Sequence, residues 1–243
     1  CSDPFTPGFP EIKWSADTIA WKIDTDLNKD PDDGWWRRRK VITYSDQAMD
    51  GVPFDYLSIS DTQRKWLRHD PDLLAFIRGD RNLEGVRFRK RSSYYGDFMH
   101  STPVSYSSIL LAGANDGMLH VFDEQSGHEY FSYVPNLLYS KWHKETSTAG
   151  NPSEKLAVLG ETSYQENHQF YVEGQVAVQY LEDSSTTLAV GSLGRGGQGI
   201  YALNLYGIRE MDDIEAQAAD IVMWEYPDPS RDGIQAIDSR FER

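Results

Sequence analysis

A hairpin motif that occurs twice is the feature that most constrains the fold of this chain. The first copy spans Leu110–Asp123, where two apolar segments flank the turn residues Asn115-Asp116-Gly117. Asn, Asp and Gly tolerate the positive φ angles that tight hairpin turns need, so the motif predicts two antiparallel strands. In the second copy, Leu188–Gly191 repeats the end of the first strand and Gly199–Asn204 repeats the return strand. The recurrence indicates a fold built from repeated β units.

Each copy of the hairpin is flanked by two further predicted strands. Phe98–Val104 and Phe170–Val176 precede the two copies, and the aromatic segments Tyr130–Val134 and Met223–Tyr226 follow them. Four strands per unit in a fixed order is typical of a propeller blade. The sequence therefore predicts an all-β fold, a portion of a β-propeller with four-stranded blades of the quinoprotein or WD40 kind and short helical insertions. A β-sandwich is the alternative.

The start of the chain contains a third, partial copy of the motif. Asp17–Asp24 matches the spacing of Asp116–Asp123 residue for residue. This match predicts the last two strands of an earlier blade, so residues 1–44 are interpreted as the end of that blade together with an acidic loop.

The remaining chain divides into three parts. Residues 45–97 are predicted to form a helical insertion and linker, because apolar residues recur at intervals of three and four within Asp61–Arg68 and Pro71–Arg78. Residues 98–226 are predicted to form two propeller blades, and residues 227–243 a polar tail.

The length of the chain limits how complete the propeller is. Its 243 residues contain about two and a half predicted blades, whereas propellers close with about 4 to 8. An open propeller leaves unpaired strand edges, so we expect a portion of a larger protein. Cys1 is the single cysteine and forms no intrachain disulfide. It is either the lipidated first residue of a mature bacterial lipoprotein or the end of a fragment.

The charge balance excludes nucleic acid as a partner. The net charge is −14, and the one basic run, Arg37–Lys40, lies beside Asp30, Asp32 and Asp33. Binding to phosphates requires clustered Lys and Arg without such compensation. No apolar stretch approaches the roughly 20 residues of a membrane span, so the chain is predicted not to be transmembrane.

An acidic segment near the start of the chain is a candidate calcium loop. Its oxygen-bearing residues occupy positions 1, 3, 5, 7 and 9, a spacing with which a loop wraps a hard cation. The predicted ligands are Asp24, Asp26, Asn28, Asp30 and Asp32, with Asp30 contributing a backbone carbonyl. The alternative is a solvated acidic turn, because Lys29 stands where an EF-hand loop has Gly and Trp35 where it has Glu.

Two further patterns resemble active-site motifs without meeting their requirements. The glycines of Gly194–Gly199 precede a strand pattern rather than the helix that a phosphate-binding loop requires, so they predict a wide hairpin turn. His100 and Ser101 are neighbours on a predicted strand and therefore point to opposite faces, which disfavours a hydrolytic triad with Asp97. No catalytic residue is predicted.

A series of segments in this sequence closely resembles a known bacterial family. These segments are Phe76–Asp80, Phe88–Ser93, Gly96–Asp97, Ser101–Val104, Gly113–Asp123, Tyr133–Pro135, Phe170–Gly174 and Gly191–Leu203. Their order is similar to that in the C-terminal propeller of the type IV pilus tip-associated proteins, the PilY and PilC group. The resemblance covers Val41–Tyr226.

This resemblance implies a protein of the bacterial cell surface, at the pilus tip or outer membrane. It implies support of pilus assembly against retraction, adhesion and twitching motility. The implied partners are minor pilins or pilus tip proteins, together with host-surface or abiotic ligands. Family members carry a calcium loop in a later blade that this chain does not include, so that loop is not transferred to any residue here.

The sequence thus predicts a non-enzymatic propeller region of a type IV pilus tip-associated protein. Two alternatives from other classes remain: an adhesin module that binds a glycan or host surface, and a quinone-dependent (PQQ) quinoprotein dehydrogenase. Quinoprotein propellers use similar Asp-Gly hairpins, but this chain lacks an adjacent pair of cysteines.

Overall fold

Two β-sheets of six and four strands form most of the structure. The computed structural model describes residues 14–24, 34–139, 154–166 and 168–227. The strands are β1 Val41–Ser45, β2 Asp50–Pro53, β3 Val104–Tyr106, β4 Ile109–Gly113, β5 Leu119–Asp123, β6 Glu129–Val134, β7 Val176–Leu181, β8 Thr186–Ser192, β9 Ile200–Asn204 and β10 Val222–Tyr226. The helices are α1 Ala16–Asp24, α2 Trp35–Arg38, α3 Asp61–Trp66, α4 Pro71–Arg78 and α5 Ala218–Ile221.

Both sheets contain a four-stranded antiparallel meander, as the sequence predicts for propeller blades. We call β3–β6 blade 1 and β7–β10 blade 2. The first strands of the two blades, β3 and β7, contact each other, which is the arrangement of inner strands around a propeller axis. The predicted all-β propeller class is confirmed.

The turn in each predicted hairpin is also confirmed. Asn115-Asp116-Gly117 connects β4 to β5, and Gly117 has a φ of +94°. Gly194–Gly196 forms one 3₁₀ turn between β8 and β9, and the chain then continues as a strand. A strand in this position agrees with the rejection of a phosphate-binding loop.

A hairpin outside the repeats joins the two blades at their outer edge. Strand β1 pairs in parallel with β6 of blade 1, with Ile42 opposite Tyr133. Strand β2 pairs with β1 and also packs against α5 and β10 of blade 2. We call β1–β2 the outer hairpin; it contacts both blades at once.

The helices predicted within residues 61–78 are confirmed, and local capping explains where they begin. Ser60 Oγ accepts a hydrogen bond from Gln63 N, and Gln63 Oε1 accepts one from Ser60 N, each at 3.0 Å. The Asp70 carboxylate caps α4, whose first residue is Pro71. Within the described ranges, no helix has the length and apolar character needed to cross a bilayer.

The prediction of an earlier blade in residues 1–44 is wrong where the structure describes them. Asp17–Asp24 is helical rather than extended, because Ala16, Ala20 and Ile23 are spaced by four and three and lie on one helical face. That face packs with Phe122 in a small apolar cluster on blade 1. Val41–Tyr44 belongs to the outer hairpin, so it also forms no part of an earlier blade.

The predicted first strand of each blade begins later than expected. Residues 98–103 are irregular because Pro103 offers no backbone N–H and the Ser101 side chain accepts the hydrogen bond from Gly113 N (2.9 Å). Residues 170–175 are irregular because their amides bond outside β8: Tyr171 N donates to Asn115 Oδ1 (3.0 Å) and Val172 N to Ala114 O (3.3 Å). The segment therefore crosses from one blade to the other.

Candidate functional site

The predicted calcium loop lies mostly outside the described residues. Asp24 is the last residue of α1; its Oδ1 accepts a hydrogen bond from Trp35 N (3.2 Å) and its Oδ2 one from Tyr94 OH (3.0 Å). The other four predicted ligands, Asp26, Asn28, Asp30 and Asp32, are not among the described residues. Asp24 thus ties the end of α1 to Trp35 and Tyr94, and calcium binding stays a prediction.

Four charged side chains meet at the Asn115–Gly117 turn, of which Arg39 and His120 are buried and Asp116 and Glu129 are partly buried. Arg39 Nε donates to Glu129 Oε2 (2.8 Å) and Arg39 Nη2 donates to Glu129 Oε1 (3.0 Å). The fully buried His120 places Nδ1 2.8 Å from Glu129 Oε1 and Nε2 3.1 Å from Asp116 Oδ2. We call Arg39, Asp116, His120 and Glu129 the buried charge network.

The two carboxylates favour the charged form of His120. Each ring nitrogen faces a carboxylate oxygen, and both nitrogens donate only when the imidazole is protonated. Burial lowers the pKa of His120, but Asp116 and Glu129 outweigh burial and raise that pKa above its usual value. Burial likewise opposes ionisation of Glu129, but Arg39 and His120 lower its pKa far below the usual range. Two cations and two anions cancel, which is what makes their burial tolerable.

Asn115, which precedes Asp116 in the turn, forms hydrogen bonds in the crevice between the blades. Its Nδ2 donates to Asp97 Oδ2 (3.1 Å) and to Glu173 Oε1 (3.2 Å), and its Oδ1 accepts from Tyr171 N. His100 Nδ1 lies 2.8 Å from the same Glu173 oxygen. Asn115 comes from the first blade's turn and Glu173 from the crossing segment, so this set of contacts holds the two repeats together.

A buried lysine lies close to Glu173. The Lys155 ammonium donates to Gly196 O and lies 5.1 Å from the centre of the Tyr171 ring. Burial lowers the pKa of Lys155 to about 7, and the Glu173 carboxylate opposes that change. Glu173 Oε2 is buried and has no hydrogen-bond partner among the described residues.

A pocket of about 290 Å³ opens beside the same turn. Arginines 39, 89 and 91 line it together with tyrosines 94, 95 and 164, and Asp97 and Asp116 lie on its wall. This volume is close to the lower end of small-molecule pockets, about 300 Å³. The pocket suits a small polar group rather than a large apolar ligand.

The described residues contain no group of three or more His, Cys, Asp or Glu side chains arranged to hold a metal ion. The histidines of the crevice instead pair singly with carboxylates: His100 with Glu173, and His168 with Asp97 at 3.6 Å. The arrangement is therefore suited to hydrogen bonding and charge recognition.

Sequence reasoning missed the residues that build this region. Arg39 stands out in the sequence only as part of a basic run, and His120 and Glu129 only as members of strand patterns. A polar His inside the apolar segment 118–122 is the one available signal, because a buried polar side chain requires a partner. The partners Asp116 and Glu129 lie within blade 1, but the pairing of β1 with β6, which the repeat does not show, brings Arg39 to Glu129.

Comparison with known proteins decides the family. The profile of the PilY1 beta-propeller domain matches residues 88–235, which include both blades. The chain belongs to the PilY1 β-propeller family. This result confirms the resemblance found in the sequence.

Curated relatives of this PilY1-family chain carry a consistent name. It is 30% identical over 237 residues to "Type IV pilus biogenesis factor PilY1" of Pseudomonas aeruginosa strain PAK, covering 79% of this chain and 19% of the relative. A PilY1 homolog of Xylella fastidiosa strain Temecula1 is 29% identical over 167 residues, covering 54% of this chain and 12% of the relative. The chain thus spans about a fifth of the P. aeruginosa relative. No solved structure gives a significant match.

Proposed function

We propose that this chain is part of a type IV pilus biogenesis factor and acts there as a rigid, non-enzymatic scaffold. The observation that carries the proposal is the similarity to proteins named type IV pilus biogenesis factor over 79% of the chain. The proposed location is the bacterial cell surface, at the pilus tip or outer membrane. The proposed partners are minor pilins or other pilus tip proteins, and the proposed outcomes are pilus assembly, adhesion and twitching motility.

The geometry supports a role through protein surfaces. The buried charge network, the crevice contacts and the outer hairpin all use their polar groups to fix the blades. Blade 2 leaves large apolar side chains accessible, with Trp224 38% and Tyr226 51% exposed. Exposed aromatic groups of this kind favour contacts with other protein surfaces.

Genetic complementation tests the biogenesis role. In a piliated bacterium that encodes the full-length protein, deletion of its gene is expected to reduce sheared surface pili and twitching zones. The full-length wild-type gene is expected to restore both. Normal piliation in the deletion strain would contradict the proposal.

Binding measurements separate the partner classes. The purified chain is expected to retain minor pilins in a pull-down, whereas an unrelated acidic protein of matched net charge −14 is not. Retention by both proteins would show only a charge effect and count against the specific partner. Binding on a glycan array without pilin binding would favour the adhesin alternative, and a quinone absorbance band after extraction would favour the dehydrogenase.

A further inference from the structure

The pocket beside the Asn115–Gly117 turn contains one arginine, Arg89, that forms no ion pair with any residue that the structure describes. Arg89 Nε donates to Leu159 O (2.6 Å), and its guanidinium carbon lies 4.2 Å from the centre of the Tyr164 ring. Within the described residues, its two Nη atoms make no hydrogen bond or ion pair. The guanidinium is therefore fixed through its Nε atom and stacked with one face on the Tyr164 ring. Its two Nη groups are left to donate to a ligand.

The other arginines of this wall are already paired. Arg39 is held by Glu129, as described above. Arg91 Nε donates to Glu84 Oε1 (2.6 Å), and its Nη atoms donate to the carbonyls of Phe76 and Asp80. Arg89 is thus the arginine of the pocket that is available to a ligand.

The part of the pocket formed by Arg89 and Arg91 carries more positive than negative charge. Arg81 Nη2 also donates to Glu84 (3.2 Å), so one carboxylate pairs with both Arg81 and Arg91, whereas no carboxylate of the described residues pairs with Arg89. Burial is the main cause that lowers the pKa of Arg91 to about 10, and repulsion from Arg81 and Arg89 adds to it. A bound anion would relieve this repulsion.

Two carboxylates in the same pocket lining limit the charge of that anion. Asp97 lines the pocket with a half-exposed carboxylate, and Asp116 lies beside it. These carboxylates repel a dianion more strongly than a monoanion, and Asp97 can accept a hydrogen bond from an N–H next to the anionic group. The two Nη donors of Arg89 match the two oxygens of a planar carboxylate.

We propose that this pocket binds the carboxylate of an amino acid or peptide through the two Nη groups of Arg89. The stacked Tyr164 ring orients the guanidinium, and Asp97 favours ligands that carry an N–H donor beside the carboxylate. This site is independent of which pilus protein the scaffold contacts.

The probes are N-acetylglycine and its uncharged amide, titrated into the folded chain and followed by NMR shifts of the Arg89 Nε–H and the Gly96 amide. The acid is expected to shift these signals saturably and the amide is not. Glycine and N-acetyl-glycyl-glycine then distinguish a free amino acid from a chain end. Equal binding of acid and amide would overturn the proposal.

Arg89→Gln is expected to weaken binding of N-acetylglycine by about ten- to a hundredfold, the loss expected for hydrogen bonds to a charged group. Arg89→Lys keeps the charge but lacks the planar guanidinium. Its affinity for N-acetylglycine is expected to lie between those of wild type and Arg89→Gln. Arg87→Gln is the matched control, because Arg87 pairs with Asp70 and Asp72 away from this pocket. An unchanged affinity in Arg89→Lys and Arg89→Gln would contradict the assignment.

Asp97→Asn tests the specificity without altering Arg89. Inorganic phosphate is expected to bind wild type more weakly than N-acetylglycine does, and Asp97→Asn is expected to narrow that difference. Tighter binding of phosphate than of N-acetylglycine by wild type would overturn the choice of a carboxylate.

Discussion

At the scale of single residues, the Asn115–Gly117 turn has a local cause, whereas the buried charge network beside it depends on residues that are distant in the chain. The turn itself was predictable, because Asn-Asp-Gly between apolar segments has a local conformational cause. The buried charge network was not, because Arg39 and His120 are 81 positions apart. Their meeting depends on a parallel strand pair that no local pattern encodes.

Gly117→Val is expected to destabilise the chain by about 1 to 3 kcal/mol. A β-branched side chain resists the φ of +94° at this position. A Cβ here would also lie 2.9 Å from Leu156 Cδ2. Chemical denaturation of wild type and variant measures the difference.

Gly207→Val provides the control for this experiment. Gly207 also has a positive φ, +74°, but a Cβ added there would meet no side chain or backbone beyond its chain neighbours within 4 Å. Gly207→Val therefore reports backbone strain alone. It is expected to lower the free energy of unfolding by less than Gly117→Val does. An unchanged melting temperature in Gly117→Val would contradict the turn.

The charge of His120 predicts a pH dependence of stability. Its pKa is raised in the folded state above the unfolded value of about 6.5. The native state therefore keeps a proton that the unfolded state releases, and this stabilisation is lost as pH rises through the folded pKa. We expect the free energy of unfolding of wild type, relative to His120→Gln, to fall as pH increases above about 6.5.

The comparison with His120→Gln is needed because Lys155 acts in the opposite direction. Its folded pKa of about 7 is below the unfolded value, so its contribution to stability increases with pH above 7. Urea denaturation of both proteins across this range isolates the His120 contribution. Parallel pH profiles for the two proteins would contradict this prediction, because they would show that folding does not shift the pKa of His120.

At the scale of elements, local patterns predicted the strands and helices that carry their own signals. The helices at 61–78 have a capping box and an N-terminal Pro, and the two hairpins have turn residues between apolar segments. The prediction for Asp17–Asp24 was wrong because, in so short a segment, the apolar residues are compatible with both the alternating spacing of a strand and the spacing of a helix. Packing of Ala20 beside Trp35 and Tyr95 decides the outcome, and that contact is long-range.

The segment after α1 carries the prediction of calcium binding. If Asp24, Asp26, Asn28 and Asp32 bind calcium with the Asp30 carbonyl, the ion neutralises their clustered charge and stabilises the folded state. At a calcium concentration 100 times the dissociation constant, the gain is about 2.7 kcal/mol. Calorimetry with calcium and with a chelator measures this gain.

Asp26→Asn is the variant for this measurement, because it removes one charge at nearly constant volume. The calcium-dependent gain in melting temperature is expected to shrink in this variant. Asp183→Asn, in an exposed turn of blade 2, is the control and is expected to keep the full gain. Identical melting of wild type with calcium and with chelator would show a solvated turn instead.

At the scale of the whole molecule, the blades are joined by contacts that the repeat does not contain. Glu215 Oε1 accepts hydrogen bonds from Arg78 Nη2 (2.9 Å) and Val41 N (3.0 Å), which connects the segment between β9 and β10 of blade 2 to α4 and the outer hairpin. The repeat predicted two similar units but not these links, since they involve residues outside it.

A further link between the blades is the buried Glu225 of β10. Its Oε1 accepts hydrogen bonds from Tyr133 OH (2.5 Å) and Asn136 N (2.7 Å), and its Oε2 accepts one from Leu137 N (3.2 Å). Three donors from blade 1 and the residues after it thus converge on one carboxylate of blade 2. The two blades are therefore expected to unfold together in a single transition.

Glu225→Gln tests this link. The amide can accept at one position only, and its NH₂ group would face the donor of Leu137 or Asn136. The expected loss is about 1.5 to 3 kcal/mol, the range for hydrogen bonds to charged groups. Glu182→Gln removes the same charge at an exposed position of blade 2 and is expected to leave stability within about 0.5 kcal/mol. Equal stabilities of the two variants in urea would contradict a structural role for Glu225, because only its buried contacts distinguish it from Glu182.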